Sequence, residues 1–448
     1  MISVLANRTY RHLLGAQIIA LVGTGLATIA LGLLAYDIAG GNAGAVLGTA
    51  LAIKMIAYVG VAPIVGSFAD RLPRRAFLVT MDVVRAAVAL SLPFVDQIWQ
   101  IYTLIFVLQS ASAAFTPTFQ ATIPDVLPDE NQYTRALSLS RLAYDMESLL
   151  SPILAAALLT IISFHWLFAG TAFGFVCSAL LVVSVVLPRS PAKARTGGIY
   201  TRTTRGLRIY LKTPRLRGLL ALSLASAAAS SMVIVNTVVI VRGALGLGQR
   251  EVALTLASYG GGSMLAALIL PRILERVSDR AMMTTAAAIL TLGLGIMAGI
   301  FAMEQGVWGA VLTGWFVLGI AYSMSVTPSG RLLRRSANAE DRPALFAAQF
   351  ALSHGCWLIC YPLAGQIGAR AGQAAAFATL AVVAGIGTLA AFLLWPAKDP
   401  KVLAHRHDDL PAGHPHLVFA HAKSVDEHEF VIDDDHRHWP NGSSRRAD

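Results

Sequence analysis

Apolar runs of about 20 residues alternate with short polar connections along most of the chain. A helix rises about 1.5 Å per residue, so a run of that length crosses the hydrocarbon core of a bilayer. Twelve such spans are predicted, at residues 13–36, 44–69, 76–95, 99–121, 138–162, 166–187, 218–241, 252–275, 281–303, 307–328, 344–369 and 372–395. Gly and Pro recur inside them, which bilayer helices tolerate when neighbouring helices repack around them. Composition agrees: of 448 residues, 56% are hydrophobic and only 13% charged, with a mean hydropathy of +0.63. A soluble domain is nearer a quarter charged and would have nowhere to hide this much apolar surface.

The net charge of +10 is informative through its placement. With a cytoplasmic N-terminus, the inner loops and the linker at 188–217 carry 22 Lys and Arg, against three (Arg242, Arg250 and Arg370) outside. Such a bias predicts that orientation, and an even span count returns the C-terminus to the cytoplasm. Basic charge confined to loops also argues against nucleic-acid binding. The linker from Pro188 to Gly218 contains no Asp or Glu, as expected of a segment lying on anionic headgroups. The three cysteines, Cys177, Cys356 and Cys360, all fall in apolar runs without disulfide or zinc-ribbon spacing. The N-terminal run has no small-residue cleavage site and is expected to be retained as the first helix.

The chain repeats itself. Asp70-Arg71 and Asp279-Arg280 lie 209 residues apart, Thr116-Pro117 and Thr327-Pro328 lie 211 apart, and Pro152 and Pro362 lie 210 apart. Each Thr-Pro pair is expected to end the fourth span of its half. Such a register predicts an all-α polytopic membrane protein of two pseudo-symmetric six-helix bundles, 1–187 and 218–396, joined by the linker and followed by a tail at 397–448. Duplicated halves place a shared site between them, near the midplane.

Gly66-Ser67-Phe68-Ala69-Asp70-Arg71-Leu72-Pro73-Arg74-Arg75 resembles the loop motif of the major facilitator superfamily between its second and third helices. It departs from that motif at Pro73, where the family usually has Gly. Asp82 and Arg85 follow as they do in the exporter branch, and residues 115–158 are also similar to that branch. The branch includes enterobactin exporters, macrolide-efflux proteins and nickel-resistance proteins, and the likeness covers residues 8–396. The resemblance implies a proton-coupled exporter working by alternating access. A carboxylate among guanidiniums at a helix end can pair while one side is closed and release as it opens. Gly66, Asp70, Arg71, Arg74, Arg75, Asp82 and Arg85 are therefore the expected gating set.

An ionisable group in the bilayer is costly, about 2.5 kcal/mol or more at a helix centre, and is a functional candidate by default. On the fifth span, Arg141, Tyr144, Asp145, Glu147, Ser148 and Ser151 fall on one helical face, opposite a purely apolar one. Arg141 and Asp145 are spaced to pair within the helix. Glu147 has no partner in its own helix, and is either a proton-coupling carboxylate or the partner of a base elsewhere, such as Lys54 on the second span. On the eleventh span Gln349, Ser353, Cys356 and Cys360 share a stripe, with His354 on another face. Thiols and an imidazole suit a soft or borderline cation in transit, although buried Cys is commonly a small apolar residue.

Eight histidines crowd the tail: His405, His407, His414, His416, His421, His428, His436 and His438, interleaved with carboxylates. This composition makes the tail a candidate site for Ni, Co or Zn, with no other cofactor expected. Much of it is expected to be disordered, with a short ordered piece at "HEFVIDDDHRHW". The His-X-His pairs resemble tails of nickel-resistance exporters. Three functions follow: export of a divalent transition metal, nickel or cobalt first; export of a siderophore, macrolide or other small organic molecule; or a membrane metal sensor that transports nothing. The expected partners are the inner-membrane bilayer, protons and a small-molecule or metal-ion substrate, with the protein a monomer. There is no nucleophile elbow, phosphate loop or metallohydrolase motif, so no enzyme is expected.

Overall fold

Polar caps set where the apolar runs begin to coil. The Asn7 side chain accepts from the Tyr10 amide at 3.1 Å and starts α1 (Arg8–Ala39). Asp129 accepts from Gln132 at 2.9 Å and starts the helix that begins at Glu130, and Ser278 starts the one that begins at Asp279 in the same way. Each satisfies an amide that the first helical turn leaves without a partner. Gly40, at φ 53°, ends α1 in the left-handed region and turns the chain into α2 (Ala43–Phe68).

The computed structural model describes residues 2–68, 73–187, 199–304, 307–338, 341–399, 402–405, 426–433, 436 and 438–440. After α2 come α3 (Arg74–Ser91), α4 (Ile98–Val126), α5 (Glu130–Leu158) and α6 (Phe164–Val183). A basic helix, α7 (Ile199–Lys212), leads into α8 (Pro214–Val238), which ends in a π-helical turn at Val239–Ala244. Then follow α9 (Gln249–Ile273), α10 (Asp279–Ala302), α11 (Trp308–Val326), short α12 (Ser329–Arg334) and α13 (Arg342–Leu394). The last is two arms broken at Gly372, whose φ of 84° only glycine adopts without strain. Two short antiparallel strands, β1 (Val402–His405) and β2 (Asp426–Glu429), close the tail, with His405 opposite Asp426 and Leu403 opposite His428.

Among the described residues, nine helical stretches are long and apolar enough to cross a membrane. Two of them, Arg8–Val61 and Ala344–Leu394, each contain a reversal and so hold two crossings apiece. The more polar α5 completes twelve; its 29 residues extend about 44 Å, ample for a bilayer. Apart from the two short tail strands, the described residues thus form a helical membrane bundle of two six-helix halves, α1–α6 and α8–α13, with α7 between them. Residues of both halves join one continuous apolar core.

One predicted boundary moves. Pro117 does not end a helix: α4 runs through it to Val126, whereas the chain does turn after Pro328. Proline removes a single backbone donor. Only the Ala113 carbonyl loses its helical partner, while the turns on either side keep theirs, so the helix continues.

The halves touch at the end of the bundle where α1 meets α2. A Cβ on Gly365 would lie 2.1 Å from the Gly44 carbonyl oxygen, and one on Gly48 would lie 2.5 Å from that of Tyr361. Hence α2 and the first arm of α13 cross backbone to backbone, which only small residues permit. Asn236 of α8 donates to the Ala364 carbonyl at 3.0 Å beside this crossing. At the same end Arg242 pairs with Asp37 across the halves at 2.7 Å, its guanidinium 4.6 Å from the Tyr36 ring centroid.

At the opposite end the linker docks on the second half. Tyr210 of α7 is buried and bonded to Gln349, and Arg205 pairs with Asp341. Asp399 accepts from both Arg215 (3.0 Å) and Arg335. The tail joins this surface: Phe430 and Ile432 are buried in the core, Asn338 donates to Asp433 at 3.2 Å, and Arg215 lies over the Trp439 ring. The basic linker therefore has a protein partner.

Candidate substrate and coupling site

Glu147 and Ser151 of α5 are turned toward α1. A Cβ on Gly25 would sit 2.1 Å from the Ser151 hydroxyl and 2.9 Å from a Glu147 carboxylate oxygen, so glycine is needed for α5 to lie this close. Ser151 is buried there at 2% exposure, and Glu147 is partly buried one turn earlier. Across from it, Lys54 of α2 is half-buried and within electrostatic reach of Glu147. The first arm of α13 supplies Tyr361, within reach of Glu147, and His354, within reach of Lys54. One acid and one base from the first half thus face an imidazole and a phenol from the second.

Aromatic rings line the same region. Tyr58, one turn beyond Lys54, stacks on His354 with centroids 5.7 Å apart and tilts against Phe350 at 6.0 Å. The His354 Nδ1 lies 2.7 Å from the Phe350 carbonyl. A carbonyl can only accept, so Nδ1 carries the proton. Trp357 and Tyr361 continue the aromatic lining at 5.0 Å.

The expected gating residues are distributed more widely. Asp70 and Arg71 lie outside the described residues, and Gly66 is in the last turns of α2. Arg74, nearly buried at the start of α3, pairs with Asp125 at the end of α4, and Arg75 donates to the Val183 carbonyl. In the second half Asp279, the repeat counterpart of Asp70, pairs with Arg331 of its own half. Asp82 and Arg85 are buried at 0% and 4% exposure and bond to one another. Asp82 also accepts from Ser178 of α6 at 2.8 Å, and Arg85 lies 4.3 and 4.5 Å from the Phe115 and Phe175 ring centroids. These contacts tie α3, α4 and α6 together within the first half.

Arg141 and Asp145 are in helical backbone on α5, with their side chains outside the described residues. Cys356 and Cys360 are buried at 8% and 0% exposure in the core of the second half. Cys356 faces α7 and α8, away from the His354 side. In the tail, His405 and His428 are on the paired strands, buried His436 bonds to Asp433 at 2.8 Å, and His438 is exposed. His407, His414, His416 and His421 lie outside the described residues. Among the described residues, no group of three or more His, Cys, Asp or Glu could hold a metal ion.

Sequence reasoning named Lys54 and Glu147 but missed Tyr58, Asn236 and the Asp37–Arg242 pair. Arg242 reads as a loop charge until the π-helical turn carries it to Asp37. The 44/48 and 365/368 spacings of glycine on two apolar runs were the available signal for the crossing.

Two matched six-helix bundles with an acid, a base and aromatic rings gathered between them define a secondary-transporter architecture. The family model of the Major Facilitator Superfamily matches residues 13–241 and 219–425, and the chain belongs to that family. It is 25% identical over 294 residues to an uncharacterized MFS-type transporter, YfiS, of Bacillus subtilis (strain 168), covering 64% of this chain and 69% of that protein. It is 24% identical over 153 residues to macrolide efflux protein A of Enterococcus faecalis, covering 32% of this chain and 47% of the relative. Among solved structures, a D-xylose-proton symporter superposes with a TM-score of 0.64 at 14% identity, over 88% of this chain and 98% of that one. The nucleoside transporter NupG superposes with a TM-score of 0.62 at 14% identity, over 86% and 98%. These likenesses fix the fold. The protein is a multi-pass membrane transporter and not an enzyme.

Proposed function

We propose that this transporter exports a small organic solute by alternating access, with Glu147 as the carboxylate that couples solute movement to protons. The carrying observation is the Glu147–Lys54 arrangement set against His354, Tyr361 and stacked aromatic rings from the other half. An acid held beside one base and a phenol can exchange a proton as its surroundings change. Aromatic walls with a few polar groups suit an organic molecule with a flat apolar part. Similarity to macrolide efflux proteins supports export of such a solute. The loop-charge bias supports an inner-membrane orientation with both termini cytoplasmic, which puts the Asp37–Arg242 end outside.

Transition-metal export is the second reading and rests on the tail histidines, with His436 already bonded to a carboxylate. One experiment separates the two. A strain lacking the protein is challenged with macrolides, organic cations, siderophores and Ni²⁺ or Co²⁺. The organic reading expects sensitivity to an organic solute, restored by the intact chain and not by Glu147→Gln. Sensitivity to nickel or cobalt alone would replace it with the metal reading.

A further inference from the structure

A groove of about 540 Å³ opens between the end of α7, the first turns of α8 and the first arm of α13. Its walls are Leu220 and Leu224 from α8 and Leu352 and Ile359 from α13, and its mouth carries one charge, Arg217. The floor is open at Gly355, where an added Cβ would meet nothing within 4 Å. The outer lip continues into side chains that cover the bundle's outer face, with Ile359 56% and Leu393 76% exposed. The groove is thus separate from the Glu147 site and opens sideways toward lipid.

Charge is arranged for an anion at one end only. The Arg217 side chain is exposed, and its guanidinium has no hydrogen bond or ion pair among the described residues; Arg208 of α7 is exposed as well. No acid occurs between Pro188 and Gly218. The carboxylates around this surface are engaged elsewhere, Asp341 with Arg205 and Asp399 with Arg215 and Arg335. A guanidinium at the mouth of an apolar slot matches one class of ligand, an anionic head on a hydrocarbon chain.

We propose that this groove binds one anionic phospholipid, its phosphate on Arg217 and one acyl chain along Leu220, Leu224, Leu352 and Ile359. The bound lipid fills the seam between linker helix and second half.

The test uses full-length protein reconstituted in nanodiscs of phosphatidylcholine with one tenth phosphatidylglycerol, then released and read by native mass spectrometry. Wild type is expected to retain one phosphatidylglycerol. Arg217→Gln should lower retention about fivefold, the effect of one cation near an anionic head. Gly355→Leu should fill the floor and displace the lipid, with the thermal unfolding midpoint unchanged. Millimolar inorganic phosphate should not compete, because the acyl chain holds the ligand. Equal retention in wild type and both variants would overturn the proposal. So would loss of lipid by competition with phosphate alone.

Discussion

Replacing Gly365 by alanine tests whether the backbone crossing of α2 and α13 holds the two halves together at the Asp37 end. The new methyl carbon would lie 2.1 Å from the Gly44 carbonyl oxygen, 2.8 Å from its carbon and 3.1 Å from Ala45 Cα, all backbone atoms that no rotamer change can move. To regain ordinary contact at 3.4 Å, the helices must part by about 1.3 Å, the difference between 3.4 and 2.1 Å. Overpacking of this kind costs about 1–3 kcal/mol. At 1.36 kcal/mol per decade, the closed arrangement at this end is disfavoured by about 5- to 150-fold. Spin labels at Gly41→Cys and Arg250→Cys, exposed on the two halves at that end, report the separation, with Cys177, Cys356 and Cys360 replaced by alanine. Gly365→Ala is expected to add a longer population to the distance distribution and to slow transport. An unchanged distribution with wild-type transport would refute the role given to the crossing.

Arg242→Gln removes the ion pair with Asp37, which is partly solvated at 26% and 39% side-chain exposure, so the expected cost is about 1 kcal/mol or less. The same label pair should show a smaller shift than Gly365→Ala, and the difference from wild type should shrink as salt rises; a larger effect would place the main contact elsewhere. Asp82→Asn leaves Arg85 buried without its counter-ion and should lower stability by about 3–5 kcal/mol, read as a lower thermal midpoint in detergent. The double replacement Asp82→Leu with Arg85→Met should recover much of that loss. A double variant less stable than the single one would contradict the structural role of this pair.

The spans were legible because an apolar run of bilayer length has few alternatives, whereas the caps Asn7 and Asp129 start their helices several residues before the predicted spans begin. Pro117 was misread because a proline removes one backbone donor without ending a helix, a loss that bilayer helices tolerate. The polar face of α5 was also legible, since helical periodicity alone gathers Glu147 and Ser151 on one side. What faces them was not. Gly25 allows the approach of α5 only because α1 crosses there, and nothing in either helix alone names its partner. For the same reason Asp82 and Arg85 read as part of the loop motif, while their contacts with Ser178, Phe115 and Phe175 emerge only when α4 and α6 are in place. The tail shows the opposite bias. Its histidines draw the eye in the sequence, yet Phe430, Ile432 and Trp439 are what seat it on the second half.

The proposed coupling of proton and solute movement by Glu147 can be read as solute-driven proton flux in proteoliposomes loaded with a pH-sensitive dye, using a solute identified by the sensitivity screen. Wild type should move protons when solute is added. Glu147→Gln should lose that flux while still exchanging labelled for unlabelled solute across the membrane at a comparable rate. Full proton flux in Glu147→Gln would contradict the account.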